Sequence, residues 1–362
     1  MRSTQRLLVL AASLITVMLV PAVCGAVPPP DPAWERSGRP LPEPRFLQPR
    51  LDDRLPHYPV RPAVPLKGRL GVRATAILAE LVSRWADAFQ ERHPGVEINL
   101  LTPYTLFDGE MVRTLVAGQA SAAFISGESS ERSEAAFRAS KGYPLTKVAV
   151  CGGSYNHFGF MDAGAVIVNS SNPLNEISQE QIDAIFSARP GPGSAAITTW
   201  GELGLTGEWA DAPIHAWRLS SGALEAFMRS RLIDEGDQWR GDLRIGGSVG
   251  EIQAEVQFDR FAIGTNKLAY MLPTTKALAI RSRNAGPTHG ADYESVALGE
   301  YPLSRVIDLY LDLPPGRAGS AIAVEFARFI LSREGQQIVV DQGVFLPLRA
   351  DAVAESRAAL VN

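Results

Sequence analysis

The stretch RLGVRATAILAELVSRWADAFQERHPGVEINLL, residues 69–101, reads as a single β-α-β unit. Residues 69–72 form a short strand candidate, and Thr75 is placed to cap a helix. In that helix Ile77, Leu78, Leu81, Val82, Trp85, Ala88 and Phe89 recur at helical spacing on one face. Gly95 stops it, and 96–101 reads as the next strand. The pattern continues outward with a helix over 109–117 and strands over 122–125, 148–150 and 165–168. Ser178 with Gln181 makes a capping box ahead of Ile182, Ile185 and Phe186. Two amphipathic helices come later, over 321–331 and 333–342, the second ended by Gly343. Such alternation predicts α/β layers with mainly parallel sheets, and no internal repeat is present.

The chain has 362 residues, 46% of them hydrophobic, which is ample for two cores of about 100–200 residues each. Its net charge is −4, and loss of Arg2 and Arg6 with the N-terminus would leave about −6, a poor balance for nucleic-acid binding. Two cysteines, Cys24 and Cys151, exclude a disulfide scaffold and a cysteine-rich zinc module. The five histidines have no His-Glu-x-x-His spacing, and no P-loop is present. Residues 1–26 read as a signal peptide: two arginines, an apolar run over 7–20, then small residues. Cleavage falls after Cys24 or Ala26. Pro21-Ala22-Val23 makes Cys24 a poor lipidation site, so the expectation is a periplasmic or secreted protein. Residues 27–65 are crowded with proline and predict an extended arm, in which Leu55, Tyr58 and Val60 are candidates to pack on the adjoining domain.

Several longer motifs share one resemblance. Asn172-Pro173-Leu174 with Ile177-Ser178-Gln179-Glu180-Gln181-Ile182 is one, and Ile197-Thr198-Thr199-Trp200-Gly201-Glu202-Leu203-Gly204 is another. Tyr301-Pro302-Leu303-Ser304-Arg305, Phe329-Ile330-Leu331-Ser332-Arg333-Glu334-Gly335-Gln336 and Leu346-Pro347-Leu348 complete the set. Over 66–350 the chain resembles the periplasmic phosphate-binding proteins of bacterial ABC transporters. The resemblance implies a two-lobed, type II fold, each lobe a mostly parallel sheet flanked by helices, with the ligand in a cleft between lobes. Crossings are then expected near 151–164 and 264–272. Lobe 1 would comprise 66–152 and 272–362, and lobe 2 would comprise 164–264.

In that family a phosphate is held by loop hydroxyls, helix N-terminal amides and one arginine. Arg218-Leu219-Ser220-Ser221-Gly222-Ala223 is similar to the family's third loop, one residue shorter and with alanine for threonine. The resemblance therefore implies Arg218, Ser220, Ser221 and Gly222 as ligands. Read by themselves, the arginine also suits a surface ion pair and the serines a helix cap. Ala74-Thr75-Ala76-Ile77 stands where the family has Gly-Ser-Asp-Thr, so Thr75 alone keeps a hydroxyl there and the acid is absent. Ser126 matches a serine whose usual arginine neighbour is Gly127 here. Asp108 and Glu110 occupy the second loop, where two carboxylates would repel an anion unless they turn outward or protonate.

The resulting expectation is an exported, monomeric binding protein for phosphate or another small oxyanion, without cofactor, serving an inner-membrane ABC permease. A relative of altered ligand or one that binds proteins is the alternative. A serine hydrolase is the third reading: Gly246-Gly247-Ser248-Val249-Gly250 matches a nucleophile elbow, with Asp259 and His289 following in chain order. Cys151 reads as a core residue.

Overall fold

The computed structural model describes residues 50–59, 65–102, 108–126, 131–191, 194–234, 238–314 and 321–360. The expected signal peptide, Cys24, Gly127 and most of the proline-rich arm, Val60 included, lie outside them. The first run of elements is β1 (Gly68–Ala74), α1 (Ala79–Arg92), β2 (Val96–Leu100), α2 (Asp108–Val116), β3 (Ala122–Ile125), α3 (Glu131–Lys141) and β4 (Thr146–Gly152). The second run holds β5 (Gly164–Asn169), β6 (Glu176–Ser178), α4 (Gln179–Phe186), β7 (His215–Leu219), α5 (Ala223–Leu232), β8 (Arg244–Gly246), α6 (Val249–Phe258) and β9 (Ala262–Lys267). It continues through β10 (Thr275–Ala277), β11 (Ala279–Arg281), β12 (Thr288–His289) and α7 (Tyr293–Ala297). The chain ends with β13 (Val306–Leu311), α8 (Ala321–Ile330), α9 (Arg333–Gln342) and α10 (Ala350–Ala358).

Two five-stranded sheets result, ordered β2-β1-β3-β13-β4 and β10-β5-β9-β7-β8. They share one plan. One strand of each, β1 or β7, lies in parallel between two others, whereas β13 and β5 are antiparallel to both of their neighbours. Each sheet is therefore mostly parallel in direction, as expected, with four of its five strands running the same way; the strand that arrives from the other sheet enters in the opposite sense. Beside the second sheet β6, β11 and β12 make a three-stranded ribbon.

Each sheet buries its own core. Trp85 stacks on Phe124 in the first and its indole donates to the Gly335 carbonyl at 2.8 Å. The second gathers Ile182, Ile185, Phe186, Trp200 and Val256. The Ser178–Gln181 capping box forms as read, and Gly343 ends α9 with φ 80°.

The chain passes between the sheets over 153–163 and again after Leu303. The second passage was expected near 264–272. Instead β10 pairs with β5, β11 with β6, and Leu278, Ile280, Val296, Tyr301 and Leu303 bury in the second core. These apolar residues have no place in the first core, so the second lobe holds its chain about 30 residues longer. The two passages are bonded together: Gly153 N–H donates to Arg305 O at 2.8 Å and Gly164 N–H to Leu303 O at 2.9 Å. A Cβ at Gly153 would lie 2.1 Å from Met161 O, so this approach requires glycine. Fully buried Asp162 takes the Lys267 ammonium at 3.1 Å and the Ala269 amide at 3.1 Å, which ties the first passage to the end of β9.

Residues 50–59 form a strap on the first core, where Leu55 and Tyr58 are buried as anticipated. The Tyr58 hydroxyl donates to Glu325 at 2.8 Å and lies 2.7 Å from His93 Nε2. With its own proton committed to Glu325, that hydroxyl accepts from a neutral, Nε2-protonated His93, whose pKa burial depresses. Asp52, 4% exposed, accepts from Arg54 N at 3.0 Å, Arg54 Nη2 at 2.8 Å and Ala350 N at 3.1 Å, with Arg349 Nη2 at 3.4 Å. It thereby caps α10 from 298 residues away.

Candidate functional site

In α/β sheets the crevice at the carboxyl ends of the strands, where the order reverses, is the place for a ligand. Here β1 and β7 are the reversal strands, and the residues after them are the ones singled out from the sequence.

At the end of β1 the Thr75 amide donates to Phe124 O at 3.3 Å, so Thr75 and Ser126 leave adjacent strands at the same edge. Thr75 was an expected cap. It opens a short 3-10 turn ahead of α1, yet its side chain makes no capping bond. Its hydroxyl is buried, 1% exposed overall, and has no partner among the described residues. A buried hydroxyl left so costs about 1–3 kcal/mol, which an arriving acceptor would recover.

Arg73, two residues earlier and so on the same side of the strand, escaped the sequence reading. It is buried and its Nη2 donates to Glu110 Oε1 at 2.9 Å. The signal was available: an arginine inside the otherwise apolar run Leu70, Val72, Ala74 needs a partner. Glu110 therefore does not simply turn outward: its carboxylate pairs with Arg73. Asp108 opens α2.

At the end of β7 the Ser220 amide donates to Gly246 O at 3.0 Å, and Ser220, Ser221 and Gly222 are exposed. Gly222, at φ 104°, is the N-cap of α5, with no side-chain cap. The serines therefore do not cap the helix, and its first intrahelical bond is Ala226 N–H to Gly222 O at 3.0 Å. The amides before it form a positive helix end next to two hydroxyls. Arg218 donates through Nη1 to Leu219 O at 2.8 Å and lies over Trp239, 5.9 Å from the ring centre. Among the described residues no carboxylate pairs with it, and its buried Nε has no partner. The Trp239 indole is held by Glu225 Oε1 at 2.6 Å. Arg218 is thus steered by an aromatic face and, among the described residues, has no carboxylate partner.

The structure brings Thr75 and Ser126 to one strand edge and Arg218, Ser220, Ser221 and Gly222 to the other. It does not assemble a hydrolytic triad. Ser248 caps α6, accepting the Glu251 amide at 3.1 Å. Asp259 lies 2.5 Å from His215 and 3.5 Å from Arg244, while His289 lies 3.4 Å from Glu300. Gly-Gly-Ser-Val-Gly is here a helix start. Cys151 is fully buried in the first core, and burial raises its thiol pKa far above the usual range. Among the described residues no helix is long and apolar enough to cross a membrane.

Comparison with known proteins shows the family. A profile described as a PBP superfamily domain matches residues 65–334. The chain is 30% identical over 303 residues to the phosphate-binding protein PstS of Pseudomonas aeruginosa, spanning 83% of this chain and 88% of that one. Among solved structures it superposes on PstS from Borrelia burgdorferi with a TM-score of 0.51 at 14% identity, covering 78% of this chain and all of the other. An ABC-type phosphate transport receptor from Vibrio cholerae gives 0.48 at 17% identity, over 77% of this chain and all of that one. These relatives are binding proteins, and the chain belongs to the PBP superfamily, in the family that includes PstS.

Proposed function

We propose that this protein is an exported, non-enzymatic receptor that holds phosphate, or a small oxyanion like it, between the β1/β3 and β7/α5 edges. It would deliver the anion to an ABC permease in the inner membrane, from the periplasm. The observation that carries this reading is the β7–α5 turn, where Arg218, two exposed serines and an uncapped helix end converge and where, among the described residues, no carboxylate pairs with the arginine. Arginine can fork onto a tetrahedral oxyanion, and helix amides favour negative charge. The buried, unsatisfied Thr75 hydroxyl offers the opposite edge a donor. The similarity to PstS supports phosphate as the first ligand to test.

Calorimetric titration of the mature protein with phosphate, sulfate and organic phosphates tests it, alongside Arg218→Ala. Binding in the parent is expected to be lost in the variant, with the melting curve unchanged. Equal affinity in the two proteins would remove Arg218 from the site.

A further inference from the structure

We infer that Glu110 is a built-in counter-ion that competes with the bound anion for Arg73 and thereby sets the affinity of the site; this rests on the oxyanion reading above. The pair sits where that reading needs positive charge. Arg73 is the penultimate residue of β1, its buried side chain on the same side of the strand as Thr75, whose hydroxyl has no partner among the described residues. Its Nη2 donates to Glu110 Oε1 at 2.9 Å, and Glu110 lies in the first turn of α2, with 38% of its side chain exposed.

The asymmetry of burial matters. Arg73 cannot leave, because a buried guanidinium without a counter-ion is strongly disfavoured. Glu110 can swing toward water, where its carboxylate is well solvated. A tetrahedral oxyanion offers the guanidinium the same acceptor geometry as a carboxylate. In the empty site Glu110 pairs with Arg73 through Nη2, and in the loaded site the ligand takes its place or shares the arginine against the repulsion of a second negative charge. Either way, binding must overcome the internal pair. Glutamine at 110 would keep the size and one acceptor oxygen while removing the charge.

The experiment is a double-mutant cycle on the mature protein, titrated with inorganic phosphate at fixed ionic strength and followed by calorimetry, with melting curves as the control for folding. Glu110→Gln is expected to bind phosphate about tenfold more tightly than the parent, or roughly 1.4 kcal/mol. On an Arg73→Ala background the same change is expected to give no gain. If that background does not fold, Arg73→Gln replaces it. Glu97→Gln, which neutralises an exposed partner of Arg69 between β1 and β2, serves as the charge control and should leave affinity unchanged. Unchanged or weaker binding in Glu110→Gln, with the parent still binding phosphate, overturns the inference and leaves the receptor reading standing. An equal gain without Arg73 also overturns it, since Glu110 would then act by repulsion alone. Silence from both parent and Glu110→Gln overturns both ideas, whereas binding seen only in Glu110→Gln supports the counter-ion.

Discussion

Replacing Asp52 by alanine should unfasten the strap over residues 50–59 from the first lobe. The carboxylate does two jobs. It supplies the cap that α10 lacks, since Arg349 at the cap position offers no side-chain bond of its own. It also gathers Arg54 and Arg349 around one buried oxygen pair. Loss of a helix cap costs about 1 kcal/mol. Charge-assisted bonds around a group only 4% exposed add roughly 1.5–3 kcal/mol, discounted because the arginines themselves reach solvent. The total is about 2–3 kcal/mol, and for a chain of this size roughly 2 °C per kcal/mol puts the fall in Tm at about 4–6 °C. The arginine pairs hold the folded Asp52 carboxyl well below its ordinary value. Its contribution is therefore complete above the unfolded value near 3.9 and is lost as pH falls further toward the depressed folded one. Scanning calorimetry at pH 7 and pH 3 reads both effects: the difference between parent and variant should be largest at pH 7 and shrink at pH 3. Trypsin should also cut after Arg54 sooner in the variant. A variant that melts within 1 °C of the parent at pH 7, with the strap equally protected, would refute this account of how the strap is held.

Ser248→Ala should leave any ester hydrolysis in the purified protein untouched, and cost about 1 kcal/mol in a denaturant melt through loss of the α6 cap. Loss of hydrolysis would restore the triad reading. With Ala76 and Ile77 at the first loop, sulfate should compete with phosphate within about tenfold, or roughly 1.4 kcal/mol, in a displacement titration. A thousandfold preference for phosphate would mean that another acid accepts phosphate's proton. Gly153→Ala should destabilise by about 1–3 kcal/mol or more, because the new methyl meets the Met161 carbonyl; an unaltered melt would show that the two passages can separate without cost.

Where signals are local, the fold was legible from the sequence. The helical spacing from Ile77 to Phe89, the Ser178–Gln181 box and the Gly343 stop each depend on residues within a turn or two, and each forms. The return between sheets was misplaced because β10, β11 and β12 are two or three residues long, too short to show a period of two. The antiparallel insertion of β13 and β5 depends on partners more than 90 residues away, which no local pattern encodes. At the candidate site, Arg218 and its serines are the residues their loop offers in sequence. Arg73 could not be matched to Glu110, 37 residues on, until α2 was laid against β1. Nor does sequence reveal that Thr75 and the two serines keep their hydroxyls out of helix capping, since capping residues and anion ligands are the same residue types.

The position of β13 governs how the molecule can be assembled. It fills the slot between β3 and β4, pairing Leu309 with Phe124 on one side and with Val148 on the other. Until it arrives, both of those strands present bare edges, and it is made only after the whole second lobe. The second lobe is one unbroken run of chain and can fold as it emerges; the first must wait about 150 residues for one of its interior strands. Non-local closure of this kind is slow and leaves sticky edges exposed meanwhile. A chain ending just short of Val306 therefore carries a complete second lobe attached to an open, association-prone sheet.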